Sequence, residues 1–471
     1  MFEDDFFDED LSDFEETLKK FDSMKSGHSV AFLDEEEFEK IIEYYYERSN
    51  DEQALLACEI AQTYYPFSSA ILFLKAEILT QSQKYGQALK ALDLLEQIDQ
   101  SNLDAVILKS DIFTAQNKLD QAAIWLEDQA QFFSGKEKVE LLLELSDVYD
   151  ESENYESVFN TLIRVINIDR CNEEALQKIC FWAEFTNRLE ESIGLHLNVI
   201  DDEPYNALAW FNLGAAYQGL KMYEKCIDAY EYCIAIDDKF EFAYRNMADA
   251  FMRMKKYEKA LEVLEKHLDI ARPEDVIFEA MGFCWEKKKD FQKARQYYRK
   301  ASQLSPGDDT IFYKIGETYA REGQWEKAVK SFSVAFHLDK ENYAYCLAIG
   351  NCLMEMDIKS EALVCYVNAV RLKPQNKTAW FALIRGLILS QYYEEAIVQI
   401  ELAKEHCGEK AEFWYLHAAA LLELGKAKEA LIQLEYALKA APKKIKFFTE
   451  LNPEYLLRSF VSELITRYRK K

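Results

Sequence analysis

Side chains able to do covalent chemistry are present but not grouped in a pattern that reactions need. The six histidines stand at 28, 196, 267, 337, 406 and 417. None has a nucleophile and an orienting carboxylate nearby in the chain, so none is assigned as a catalytic base. His196 and His267 fall instead on apolar helix positions. There is no G-x-G-x-x-G or G-x-x-x-x-G-K-S/T loop to cradle phosphates, no H-E-x-x-H and no G-x-S-x-G. The ten cysteines include no Cys-x-x-Cys pair and no zinc-like spacing with histidine. No enzyme activity, cofactor or metal is therefore expected.

The remaining chemistry is recognition. The 471 residues hold 84 acids and 56 bases, a formal charge of −28. The excess is local: residues 1–200 carry 43 acids and 16 bases, residues 201–471 carry 41 and 40. Nucleic acid and anionic membrane are repelled by such a half, and basic partners are steered to it. Lys287-Lys288-Lys289 reads as a solvated turn, and most paired carboxylates as solvated helix faces. With only 14 Gly and 7 Pro a β-sandwich is excluded, and 28 Tyr with 30 Phe exclude a disordered chain. The start, Met1-Phe2-Glu3-Asp4-Asp5, lacks a basic and an apolar region, and no apolar run approaches a membrane span. A cytoplasmic location with reduced thiols is expected.

What could position recognition residues is a period of 34. Tyr85, Tyr155, Tyr223, Tyr257, Phe291, Trp325 and Tyr393 each precede a small or β-branched residue by three positions. Extended in both directions, that register meets Ala54, Ala88, Ala122, Val158, Ser192, Cys226, Ala260, Ala294, Ala328, Ala362, Ala396 and Ala430. Every step is 34 except the 36 between Ala122 and Val158. Ser134-Gly135-Lys136 is expected to take up the two extra residues in a loop. Pro66, Pro204, Pro306, Pro374 and Pro442 each lie twelve residues after a small residue, where a helix boundary best tolerates them. Trp210, Leu213, Gly214 and Tyr217 share one helix face, and Cys226, Tyr230 and Cys233 share another. Small side chains let antiparallel helices cross closely, and one hairpin cannot bury both its faces without neighbours.

These residues resemble the tetratricopeptide repeat (TPR) family. The best matches are Trp210-Leu213-Gly214-Tyr217-Cys226-Tyr230-Cys233, Phe278-Met281-Gly282-Trp285-Ala294-Tyr298-Ala301-Pro306 and Phe312-Ile315-Gly316-Tyr319-Ala328-Phe332-Ala335. The resemblance implies an all-α fold, a right-handed superhelix of about twelve helix-turn-helix repeats over 35–444. An acidic amphipathic segment, 1–34, precedes it, and a C-terminal capping helix with a basic tail, 445–471, follows. Repeats begin at 35, 69, 103, 139, 173, 207, 241, 275, 309, 343, 377 and 411.

In TPR proteins the first helices line a concave groove. Carried over by register, that implies an acidic stretch with Glu39, Glu43, Glu77, Asp111, Glu140 and Asp147. A later stretch is aromatic and cationic: Phe181, Phe185, Phe211, Phe242, Arg245, Arg253, Phe283, Tyr313, Arg321, Phe381 and Arg385. Such types are enriched at binding hot spots; plain solvation of the acids and packing of the rings between repeats are the competing readings. Asn212 and Asn246 share the sixth position, where an Asn in some TPR proteins bonds the backbone of an extended peptide. The carboxylate clamp of chaperone-binding TPR proteins is not met, since Phe211 and Ala215 stand where Lys and Asn are needed.

At the N-terminus, Phe7, Leu11, Phe14, Leu18 and Phe21 share a helix face in a segment whose first 16 residues hold nine acids and no base. Gly27 would end that helix. At the C-terminus the spacing predicts one helix over 452–468. The expected function is a scaffold that holds an extended or helical segment of another protein, one with a basic stretch, in the groove. The alternatives are self-association through the N-terminal helix and a regulatory subunit for an enzyme on another chain.

Overall fold

A computed structural model describes residues 4–25 and 32–469, without the side chains of 4–13 and 469. Gly27 and the side chains of Phe7 and Leu11 thus lie outside the described residues. Among the described residues all regular structure is helical. The chain divides into two compact units, Met1–Ala243 and Tyr244–Lys471, within the helix Glu241–Arg253.

Both units repeat one hairpin. First helices of 13 residues recur, as in Glu35–Glu47, Ser69–Gln81, Ala207–Gly219, Asp275–Lys287 and Tyr343–Glu355. Each precedes a second helix such as Asp51–Tyr64, Tyr85–Ile98, Tyr223–Ile236, Phe291–Leu304 or Lys359–Leu372. Most first-helix starts are set by side chains that accept from orphan N–H groups. Asn102, Asn172 and Asn206 each accept from the amide three residues on, at 2.9 Å. Asp34 and Glu37 close a reciprocal capping box. The prolines anchor the next hairpin: the Pro204 and Pro374 carbonyls accept from the Trp210 and Trp380 indoles, at 2.9 and 2.7 Å.

All twelve residues of the small-residue register are buried, so helix pairs cross closely at each. Gly214, Gly282, Gly316 and Gly350 add a second close approach, each beneath a ring of its partner helix: Tyr230, Tyr298, Phe332 or Tyr366. Large side chains then fill the space between successive hairpins, as Leu142, Leu162, Leu176 and Val199 do in the first unit. Ile311, Cys346, Trp380 and Leu383 do so in the second.

Two elements differ from expectation. The two extra residues do not form a loop at Ser134-Gly135-Lys136: the connection 130–134 is one residue longer than the four of 99–102 or 169–172, and a longer helix, Gly135–Glu151, follows a shortened one, Leu119–Gln129. Helix adds a backbone hydrogen bond per residue, so extending a packed helix costs less than opening a loop. The helix over 452–468 is broken: a 3-10 turn, Pro453–Leu457, and a helix, Ser459–Arg469, meet at an extended Arg458. The break lets Tyr455 sink into the core and donate to Glu423 at 2.6 Å, while Val461 and Ile465 cover the last hairpin. Upstream of the first repeat, the helix Asp4–Lys25 packs Phe14, Leu18 and Phe21 on the core of that repeat, with the Phe21 ring edge-on to Phe38 at 6.4 Å.

Candidate functional site: the first-helix faces

The ninth residue of each repeat leaves its first helix one turn before the end. In the first four repeats these are Glu43, Glu77, Asp111 and Asp147. They belong to one repelling row. Burial pushes the Glu77 carboxyl up, and Glu43 and Asp104 push it further. Burial also raises Glu39, with Glu35, Glu43 and Glu36 adding to it. Asp111 is raised by the low-dielectric flank of the protein around it. Glu144 is raised by burial and then by Asp111 and Asp147, against a lowering pull from Lys178. Glu140 is exposed on the same helix.

Lys178 closes the row from the next repeat. Its ammonium lies 2.6 Å from Asp147 and 2.7 Å from Glu174, so Asp147 is a paired carboxylate rather than an open one. Sequence reasoning missed Glu144; it occupies the same sixth position as Asn212 and Asn246, which was the available signal.

Beyond Lys178 aromatic side chains appear, Phe181 at the ninth position and Phe185, Phe211 and Phe242 at other first-helix positions. Phe181 and Phe185 are exposed, with ring centroids 6.0 Å apart, beside half-buried Tyr155 and buried Trp182, which stack on each other. Phe211 is half-buried, 5.0 Å from Phe240 and 5.8 Å from Tyr230, so its ring serves packing within the unit. Phe242 is exposed. Asn212 corrects the expectation of a peptide ladder. It is buried, and its amide donates to the Leu176 carbonyl at 2.6 Å. An Asn facing the preceding first helix meets a main-chain acceptor before any ligand can supply one.

In the second unit Arg253, Phe283, Tyr313, Arg321, Phe381 and Arg385 line two depressions, and Arg245 and Asn246 lie outside both. Arg245 lies 3.7 Å from Glu274, and Asn246 is half-buried. Arg253 pairs with Asp249 at 3.3 Å on the wall of a groove of roughly 420 Å3 with Met252, Phe283 and Lys314. Lys287 stands 4.7 Å over the Phe283 ring. Tyr313, Arg321, Phe381 and Arg385 converge on a larger cavity of roughly 680 Å3, with Glu317, Asn351 and Tyr366. Phe447 and Leu451 close one side of it. The apolar residues after Pro442 were the unused signal for that wall.

Glu286, outside the lining, acts on this cavity through Arg321 and Glu317. It is buried, accepts from the Tyr298 hydroxyl at 3.0 Å, and lies 3.6 Å from the Arg321 guanidinium. Burial and Glu286 raise Glu317. Burial, with Glu317 beside it, pushes the Tyr313 phenol up to about 12. Tyr313 thus stays a neutral donor at the rim, and Arg321 and Arg385 offer exposed charge.

Elsewhere chemistry is muted. His196 is buried, and its imidazole is pushed down to about 4 by that burial, so it packs as a neutral ring. Cys58, Cys233 and Cys284 are buried thiols raised to about 12, far from thiolate reactivity. Among the described residues, no group of three His, Cys, Asp or Glu is placed to hold a metal, and no helix is long and apolar enough to cross a membrane.

Residues 211–336 match the family model of the tetratricopeptide repeat protein 21 C-terminal ARM domain. Among solved structures, YrrB, a TPR protein with an unusual peptide-binding site, is similar at 19% identity, over 40% of this chain and 96% of that one, with a TM-score of 0.35. The C-terminal part of a TPR repeat-containing protein from Cytophaga hutchinsonii is similar at 14% identity, over 54% and 99%, with a TM-score of 0.45. A chain of the APC/C hetero-tetramer Cut9-Hcn1 is similar at 14% identity, over 93% and 96%, with a TM-score of 0.31. No curated protein matches the chain.

Proposed function

We propose that this chain, a TPR-like repeat protein, is a non-enzymatic adaptor whose first-helix faces hold a segment of another protein. The observation that carries the reading is the row Glu39, Glu43, Glu77, Asp111 and Glu144. Burial raises the proton affinity of Glu39, Glu77, Asp111 and Glu144, and neighbouring carboxylates add to that rise at Glu39, Glu77 and Glu144. A fold that keeps like charges together, with Glu39, Glu77 and Glu144 half-buried beside exposed Glu43 and Asp111, stores repulsion that a cationic ligand relieves. Simple solubility needs charge on the surface, but not in a row that neighbouring helices partly desolvate. The partner segment is therefore basic where it meets the first unit. The aromatic and Arg-lined cavity of the second unit gives a place for an apolar anchor, as hot spots combine ring burial with guanidinium contacts.

The test uses the full chain and a fluorescein-labelled 15-residue peptide of alternating Lys and Leu. Anisotropy is read at low and at physiological salt. Affinity should fall as salt rises, and the Glu43→Lys, Glu77→Lys, Asp111→Lys variant should lose about tenfold or more. Equal binding by the variant and wild type, with the same salt slope, would remove the acidic row from the function.

A further inference from the structure

On the second-helix side of the second unit, away from the groove residues, a polar cavity of roughly 350 Å3 opens between the helix Phe291–Leu304 and the start of the helix Trp325–Leu338. Arg295, Arg299 and Lys327 line it, with Tyr319, Gln324 and a single carboxylate, Glu322. Three cations against one anion leave a surplus of two positive charges. This surplus stands in a chain of formal charge −28, on a helix, Phe291–Leu304, that contains no acid.

The lining is built rather than incidental. Arg295 is only 7% exposed. Its guanidinium lies 4.3 Å over the Tyr319 ring, and its Nη2 reaches Glu322 at 2.8 Å. Its Nη1 is buried and has no hydrogen-bond partner among the described residues. Arg299 donates to the Tyr319 hydroxyl at 2.5 Å. Gln324 donates to Glu322 at 2.9 Å, and Lys327 donates to Gln324 at 2.9 Å. Glu322 brings one negative charge, which Arg295 takes up, and this leaves Arg299 and Lys327 without a second carboxylate among the lining residues. A buried guanidinium with an unmade N–H is costly, and such groups find acceptors.

We infer that this cavity receives a phosphoryl group. A phosphoryl group carries between one and two negative charges at neutral pH and three acceptor oxygens, which match the surplus of two and the spread of donors. A carboxylate brings one charge and two oxygens and leaves half of the surplus. Guanidinium forks suit the oxyanion geometry, and the ammonium of Lys327 adds a point charge. The group can arrive as inorganic phosphate or on a phosphorylated serine of a protein segment. A second depression of roughly 320 Å3 shares Arg299, Tyr319 and Lys327 and continues over Phe312, Ile315 and Val334, giving an attached chain an apolar bed.

The probes are inorganic phosphate and a fluorescein-labelled heptapeptide with a central phosphoserine flanked by Val and Ile, with its unphosphorylated twin as the control. The full chain should bind the phosphopeptide at least about tenfold more tightly than the twin, and inorganic phosphate should compete. The double variant Arg299→Ala, Lys327→Ala should weaken both phosphate probes about tenfold or more. Both residues are exposed, so the variant is expected to keep its helical circular dichroism; Arg299→Lys should recover part of the loss. Phosphopeptide binding well above that of inorganic phosphate assigns the source to a modified protein. Equal affinity assigns it to the free ion. No binding of either probe at millimolar concentration, or binding that the double variant leaves intact, overturns the site.

Discussion

A methyl group added at Gly316 would stand 2.5 Å from the Phe332 ring, and the same is true of Gly282 beneath Tyr298. The ring in each case is buried, so it cannot swing clear. Gly316→Ala should therefore force the two helices of that hairpin apart and lower stability by about 1–3 kcal/mol. Urea unfolding reads this directly. Gly307, with nothing within 4 Å of an added Cβ, is the control, and its Ala variant should stay within about 0.5 kcal/mol of wild type. Equal effects at the two sites would refute the steric account. Gly214, Gly282 and Gly316 could be read from the repeat motif, as could the small residue at the crossing. What Asn212 does could not, because its amide bonds a carbonyl 36 positions earlier in the chain.

Between the two helices of each hairpin one residue adopts a left-handed backbone, at the same place in every repeat: Ser49, Gln83, Asn117, Glu153, Asn187, Lys221, Lys255, Lys289, Gly323, Asp357, Gln391 and Gly425. Only two of the twelve are glycine, although φ runs from 55° to 76°. A side chain there costs on the order of 1 kcal/mol, part of which glycine's greater freedom in the unfolded chain would offset. Lys221→Gly should accordingly raise stability by about 0.5–1 kcal/mol, with an unchanged denaturant slope. A drop in the midpoint would show that the Lys221 side chain makes a contact worth more than the strain. Helix starts were legible because Asn, Asp and Ser caps and prolines mark them. The left-handed conformation inside these turns was not, since Lys, Gln or Glu carries no signal for it, even where Lys287-Lys288-Lys289 could be read as a turn. The same holds for the helix Gly135–Glu151, where a Gly suggested a loop but packing favoured more helix.

Across the whole molecule the charge imbalance stays in the first unit, and it sets a pH response. Carboxyls of Glu39, Glu77, Asp111 and Glu144 have a higher proton affinity folded than unfolded. Their contribution to stability is full below the unfolded carboxyl range and is lost as pH rises through the folded values. Lowering pH from 7 toward 5 should thus strengthen hydrogen-exchange protection over 35–151, after correction for intrinsic rates. The variant Glu43→Gln, Glu77→Gln, Asp111→Asn should flatten that rise. A pH response that is identical in the variant would mean the row is too well hydrated to matter.

The 34-residue period, the helix-pair fold and the buried small residues could be read directly from the chain, because each hairpin touches only its neighbours and so the same contact recurs at the same spacing. Tertiary structure alone decided the pairing of Lys178 with Asp147, the burial of Arg295 against Tyr319 and the convergence of Tyr313, Arg321, Phe381 and Arg385. Those contacts join residues of different repeats, and they depend on how large side chains set the rotation of one hairpin on the next. A spacing pattern records which face a residue occupies, while the partner it meets there is chosen by packing.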